Sequence, residues 1–152
     1  MTHRTNSSVL NDEQRQVATN LFRYATWANS LMNRFETVLA RDREEMKRQL
    51  LEESLVFDVN LLESEMYHCL WFGVLYIVIE GWPRLAVKDQ KITKLLRSPY
   101  KRLLRDFRNA TFHPENYDDK RIKALMANGQ ASIDWAKEVT KEFNAFLGAI
   151  LR

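Results

Sequence analysis

An all-α fold, a compact bundle of four to five main helices, is what three features of this chain predict. Only four glycines and three prolines punctuate its 152 residues. Apolar residues recur at three- and four-residue spacing over long segments, the repeat of a helix with one buried face. The one run rich in β-branched residues, Val74 to Ile79, has no partner strand elsewhere and continues a helical pattern begun upstream.

In chain order, residues 1–10 are polar and predict a flexible N-terminus, which leaves 11–152 as a single domain. Asn11 or Asp12 can cap a first long helix, since short polar side chains accept from the free N–H groups of an opening turn. Val17, Leu21, Tyr24, Ala25, Leu31, Met32, Phe35 and Leu39 recur along it at helical spacing. The charged stretch Arg41–Arg48 predicts a turn and the start of a polar helix carrying Met46, Leu50 and Leu51. From about Val59 to Trp82 a second helix is apolar almost all round, as in a buried helix, and Gly81-Trp82-Pro83 ends it.

Asp89 can cap a short helix that turns Ile92, Leu95 and Leu96 inward. Ser98-Pro99 is a good start for the next, with proline preset at the first helical position. There Tyr100, Leu103, Leu104 and Phe107 make one stripe, and Arg97, Lys101, Arg105 and Arg108 the opposite one. His113 to Asp119 reads as a loop and Asn128-Gly129 as a turn. A last helix near Ala131–Leu151 buries Ile133, Ala136, Val139, Phe143, Phe146, Leu147 and Ile150.

Composition narrows the function. An apolar share of 45% and a charged share of 28% fit an ordinary folded protein. One cysteine, Cys69, excludes an internal disulfide and suggests a reducing compartment. The chain shows no secretory leader, and its longest apolar stretch, Cys69 to Ile79, is too short to span a bilayer. The expectation is a cytoplasmic protein without a membrane partner. The net charge of +3 is unevenly spread. Residues 84–108 hold nine basic side chains against Asp89 and Asp106, a local +7 that leaves −4 elsewhere. Charge concentrated in this way points to an anionic partner.

The chemistry-bearing segment is Arg108-Asn109-Ala110-Thr111-Phe112-His113. Arginine is a permanent, fork-shaped cation suited to phosphate, and histidine can move a proton near neutral pH. Five helical positions turn two side chains about 140° apart. Both reach one phosphate only if the helix ends between them or a second copy of the chain completes the site. Pro114 favours such an end, because the residue before a proline is biased away from helical dihedrals.

The stretch Leu104 to His113 resembles the signature of HEPN (higher eukaryotes and prokaryotes nucleotide-binding) domains. Those are small α-helical bundles carrying arginine, a polar residue that is often asparagine, and then histidine after a short interval. Here four residues separate Arg108 from His113 and the polar residue is Asn109. The segment Trp71–Trp82 resembles a subset of bacterial HEPN-like proteins, so the likeness runs from roughly Tyr67 to Tyr117. It implies metal-independent RNA cleavage, often in toxin–antitoxin or antiphage systems, with no cofactor. It also implies a homodimer whose two Arg–His pairs face one groove, and an antitoxin-type protein partner. On this reading Arg108 and His113 are catalytic, Asn109 assists, and Arg97, Lys101 and Arg105 guide RNA. One departure is that Glu115 stands where toxins silenced by a nucleotidyltransferase partner carry a tyrosine; the nearest tyrosine is Tyr117.

Plainer readings stand beside these. Arg108 could pair with Asp106, Glu115 or Asp118 while His113 caps the same helix end. Glu80, in an apolar stretch, calls for a basic partner, of which Arg108 is one candidate. His68 and Cys69 have no further histidine or cysteine near them in sequence, so a metal site is not expected. Trp71 and Trp82 read as core or interface aromatics before they read as base-stacking platforms. The alternative function is a non-catalytic helical module that binds a nucleotide or a protein.

Overall fold

A computed structural model describes residues 10–51, 62–113, 115 and 120–152. The fold is all-α, with six helices and no strand among the described residues. They are α1 (Asp12–Leu51), α2 (Glu63–Gly81), α3 (Gln90–Leu95), α4 (Tyr100–Thr111), α5 (Lys120–Met126) and α6 (Gly129–Ile150). A short 3-10 turn, Trp82–Leu85, follows α2. No described helix is long and apolar enough to cross a membrane.

Asn11 is the cap that starts α1. Its side chain accepts from the Gln14 N–H at 2.8 Å while Gln14 Oε1 accepts from the Asn11 N–H at 3.1 Å, a reciprocal capping box. Residues 1–9 lie outside the described part, but Leu10, grouped above with the flexible terminus, is buried in the core.

The turn expected at Arg41–Arg48 does not exist, because α1 runs unbroken for 40 residues. Two causes carry it through. Lys47 pairs with Glu44 and Arg48 with Glu45 one turn apart, which supports a helix locally. Asp42 is buried, and its Oδ2 accepts from the Ser64 N–H at 3.0 Å, at the start of α2. The α2 N-cap position, Leu62, offers no side-chain acceptor, so the cap comes from the neighbouring helix. Arg41 completes the joint, reaching Asp42 at 2.9 Å and Glu63 at 2.7 Å.

The run Val74–Ile79 is helical, as the continuous pattern predicts. Trp71, Phe72, Leu75, Val78 and Ile79 of α2 are buried. The buried Trp71 indole N–H donates to Thr140 Oγ1 of α6 at 2.9 Å, so the largest core side chain leaves no orphan donor. Trp82 is a core aromatic, edge-on to Phe143 and Phe146 of α6. Against α2 pack α1, α4 and α6, while α3 rests on α6 and α5 on α4. Val59, Asn60 and Leu61, expected to open α2, lie outside the described residues.

Asp89 caps α3, accepting from the Ile92 N–H at 2.8 Å. Ile92 is buried, with Leu95 and Leu96 half-buried beside it. The helix α5 is missed by the apolar pattern because only Leu125 of its seven residues is buried. The last helix begins at Gly129, whose φ of 51° is the left-handed conformation that glycine adopts without strain.

The Asp42 joint has a measurable consequence. Burial alone pushes its carboxyl up, but the Ser64 and Arg41 hydrogen bonds outweigh this and hold it below the ordinary carboxylate value. A carboxyl depressed by folding stabilises fully above its unfolded value, and that contribution is lost as the pH falls through the folded one. Asp42→Ala should therefore lower stability by about 1–2 kcal/mol near neutral pH, the scale of a lost helix cap. In urea titrations the gap from wild type should close on acidification below the carboxylate range.

Candidate functional site

The site is built on α4 and on the face of α2 that α4 covers. Ser98 Oγ accepts from the Tyr100 N–H at 3.2 Å and helical bonding begins at the Ser98 carbonyl, so Ser98-Pro99 starts the helix as expected. Leu104, Phe107 and Ala110 are buried. Phe107 meets Phe72 edge-on at 5.5 Å and lies near His68 at 5.7 Å, which locks α4 against α2.

That seating directs Arg108 toward α2. Its guanidinium lies over the Tyr76 ring, 5.7 Å from the centroid, and Nη1 donates to Asn109 Oδ1 at 2.9 Å. A cation over an aromatic face gains about 0.5–2 kcal/mol, depending on desolvation. No carboxylate pairs with Arg108 among the described residues: Asp106 is taken by Arg105 and Glu115 by His113. Asp118 lies outside the described residues, as do Pro114 and Tyr117. Asn109 thus acts on Arg108 and not on His113.

The helix ends where the motif requires. Phe112 N–H donates to the Arg108 carbonyl at 3.3 Å and His113 N–H to the Ala110 carbonyl at 3.2 Å, after which the chain leaves helical geometry. The His113 side chain is 61% exposed, with Nδ1 3.5 Å from Glu115 Oε1. No hydrogen bond or ion pair joins His113 to Arg108 among the described residues. Both lie at the C-terminal end of α4.

Two participants were not legible beforehand. Tyr76 lies under Arg108, and burial first, then the Glu80 carboxylate, raises its hydroxyl above the ordinary tyrosine value, with Arg105 and Arg108 pulling it down. Gly73 lies under Phe112: a Cβ there would come within 2.5 Å of Phe112 Cε2 and 2.8 Å of Cζ. The ring therefore fills the space of the missing side chain, tying the end of α4 to the middle of α2. A lone glycine inside an apolar helix was the available signal, since such a glycine marks a close approach.

Of the basic stripe, Arg97 and Lys101 are exposed and form no ion pair among the described residues, whereas Arg105 spends part of its charge on Asp106 at 3.1 Å. Lys91 is drawn to Glu142 of α6 at 2.6 Å. Glu80 is exposed and forms no ion pair among the described residues, so the basic partner expected from sequence is not found among them. His68 is buried among aromatic rings, 4.2 Å from Phe72 and 5.1 Å from Phe35. Among the described residues no group of three metal-ligating side chains is placed to share an ion.

Comparison with protein-family models, with curated proteins and with solved structures finds no match to this chain.

Two predictions follow from this packing. Gly73→Ala should unseat the Phe112 ring; because Phe112 is half exposed, the ring can swing out. The change in melting temperature should then be small, since about 1 kcal/mol of helix propensity offsets part of the strain. The His113 ring resonances should nevertheless shift, and Gly73→Ala combined with Phe112→Ala should show no additional strain. Burial, with Glu65 beside it, pushes the Cys69 thiol up to about 12. Iodoacetamide at neutral pH should therefore leave folded protein unmodified and label it in urea.

Proposed function

We propose that this protein is a metal-independent ribonuclease of the HEPN type, in which Arg108 and His113 act on one RNA phosphate. The observation that carries the reading is the end of α4 between these two residues. It releases His113 from the helical offset, and Arg108 has no carboxylate partner among the described residues.

The 2′-hydroxyl attacks the adjacent phosphorus, a 2′,3′-cyclic phosphate forms, and the bond to the 5′-oxygen breaks. His113 takes the proton of the attacking hydroxyl or gives one to the leaving oxygen, through the ring nitrogen not facing Glu115. Arg108 meets the negative charge that grows on the phosphorane oxygens. Asn109 holds the guanidinium, and Tyr76 supports it from below. Arg97 and Lys101 carry the RNA backbone toward the corner, while Arg105, shared with Asp106, contributes less. The setting is the cytoplasm, in a defence or toxin role with an antitoxin-type partner.

A second reading is a non-catalytic module that holds an anion without cutting it. It is favoured by the absence of any hydrogen bond or ion pair between Arg108 and His113 among the described residues.

Cleavage of a panel of RNAs in EDTA separates the two. On the first reading wild type yields cyclic-phosphate ends, and His113→Ala loses about 10²–10⁴ in rate. Arg108→Ala should fall comparably with the fold intact. Binding without any cleavage by folded wild type selects the second.

A further inference from the structure

Where α1 meets the C-terminal half of α6, the seam between them opens into a groove of about 420 Å³, within the size range of ligand sites. On α6 its residues Lys141, Asn144, Gly148 and Arg152 follow at offsets of three, four and four, which is one face of a helix. On α1, Phe22 and Asn29 stand two turns apart and form the other wall. Gly148 keeps the floor low. A Cβ there would come within 3.2 Å of Phe22 Cε2, so the ring lies against bare backbone.

The groove is cationic. Lys141 and Arg152 form no ion pair among the described residues, and no acidic side chain lines it. The nearby carboxylates are engaged elsewhere: Glu36 pairs with Lys137, Glu142 with Lys91 at 2.6 Å, and Glu138 also acts on Lys91. From Gln14 to Phe35, α1 has no carboxylate but carries Arg15, Arg23 and Arg34. Between the two cations of the groove stand two carboxamides. Asn144 Oδ1 accepts from Thr26 Oγ1 at 3.5 Å, which leaves its N–H groups to a ligand. The Asn29 side chain makes no hydrogen bond among the described residues.

We infer that this groove binds an extended acidic peptide. Two of its carboxylates meet Lys141 and Arg152, and the carboxamides of Asn29 and Asn144 hold the backbone between them. At 1.5 Å per residue, the helical path from Lys141 to Arg152 spans about 16 Å. An extended chain covers that distance in about five residues, which sets the spacing of the matching carboxylates. Carboxamides donate and accept as peptide bonds do, and an extended backbone needs both. A nucleic-acid strand fits this groove less well. It brings a charge with every nucleotide, whereas only the two ends here are cationic. The Phe22 ring, laid against Gly148, is also a poor platform for stacking a base. The inference is independent of the ribonuclease reading, which uses none of these residues.

NMR titration of the full, isotope-labelled chain at low salt tests it. The probe is an acetylated and amidated hexapeptide with glutamate at both ends and alternating serine and alanine between. The side-chain amide resonances of Asn29 and Asn144 should shift and saturate with millimolar peptide. The same peptide ending in glutamines should bind about tenfold more weakly, and Lys141→Gln and Arg152→Gln should each weaken binding roughly twofold to fivefold. Ala145→Glu, at an exposed position lining the groove, should abolish the shifts and leave circular dichroism unchanged. Unmoved Asn29 and Asn144 amides, an equal response to the glutamine peptide, or undiminished binding by Ala145→Glu overturns the inference. A hexauridylate that moves the same resonances more strongly than the peptide overturns the choice of occupant.

Discussion

A helix that is apolar on nearly every side has to be enclosed, and α2 imposes that requirement on the whole molecule. Three neighbours meet it. The long α1 lies alongside and caps the start of α2 through Asp42. The last helix, α6, packs beneath and accepts the Trp71 indole proton at Thr140. The basic helix α4 covers a third side with Phe107. The first two contacts join apolar burial to a polar group that water would otherwise have to satisfy, which is how a core gains a unique arrangement along with its stability.

The candidate site is a by-product of the third contact. With Phe107 and Phe112 placed against α2, the Arg108 guanidinium lies over Tyr76, and the chain turns out of the helix just before His113. The chemistry then depends on packing several residues away. Gly73 matters because it lacks a side chain, and Phe112 occupies the room so released. An arginine with no carboxylate partner among the described residues, on a face where Arg97 and Lys101 likewise form no ion pair among them, is electrostatically incomplete. That incompleteness is what an anionic ligand would relieve.

Much of the fold was legible from residue order. Apolar periodicity identified α1, α2, α3, α4 and α6, and single residues marked the starts of three of them: Asn11 for α1, Asp89 for α3 and Ser98 for α4 each accept from an opening N–H through a short polar side chain. What misled was charge. Arg41–Arg48 looks like a turn because its residues are polar, yet one of them, Asp42, is buried as the cap of a helix far along the chain. The helix α5 left too little apolar signal, since only Leu125 turns fully inward. In the site, Arg108, Asn109 and His113 were readable as a motif, whereas Tyr76 and Gly73 sit on a different helix: the lone glycine signals a close approach without naming Phe112, and Tyr76 carries no local mark of its role.

By itself the residue order determined what depends on near neighbours: helical spacing, capping chemistry, the concentration of positive charge, and the break before Pro114. These follow from backbone sterics and from side chains three or four positions apart, so they survive without knowledge of the fold. Only the tertiary structure decided the long-range pairings: Asp42 with Ser64, Tyr76 beneath Arg108, Phe112 upon Gly73, Trp71 with Thr140. The physical reason is that such contacts depend on how two helices are rotated and slid against each other. That register is set by the summed packing of many side chains, and no short segment contains it.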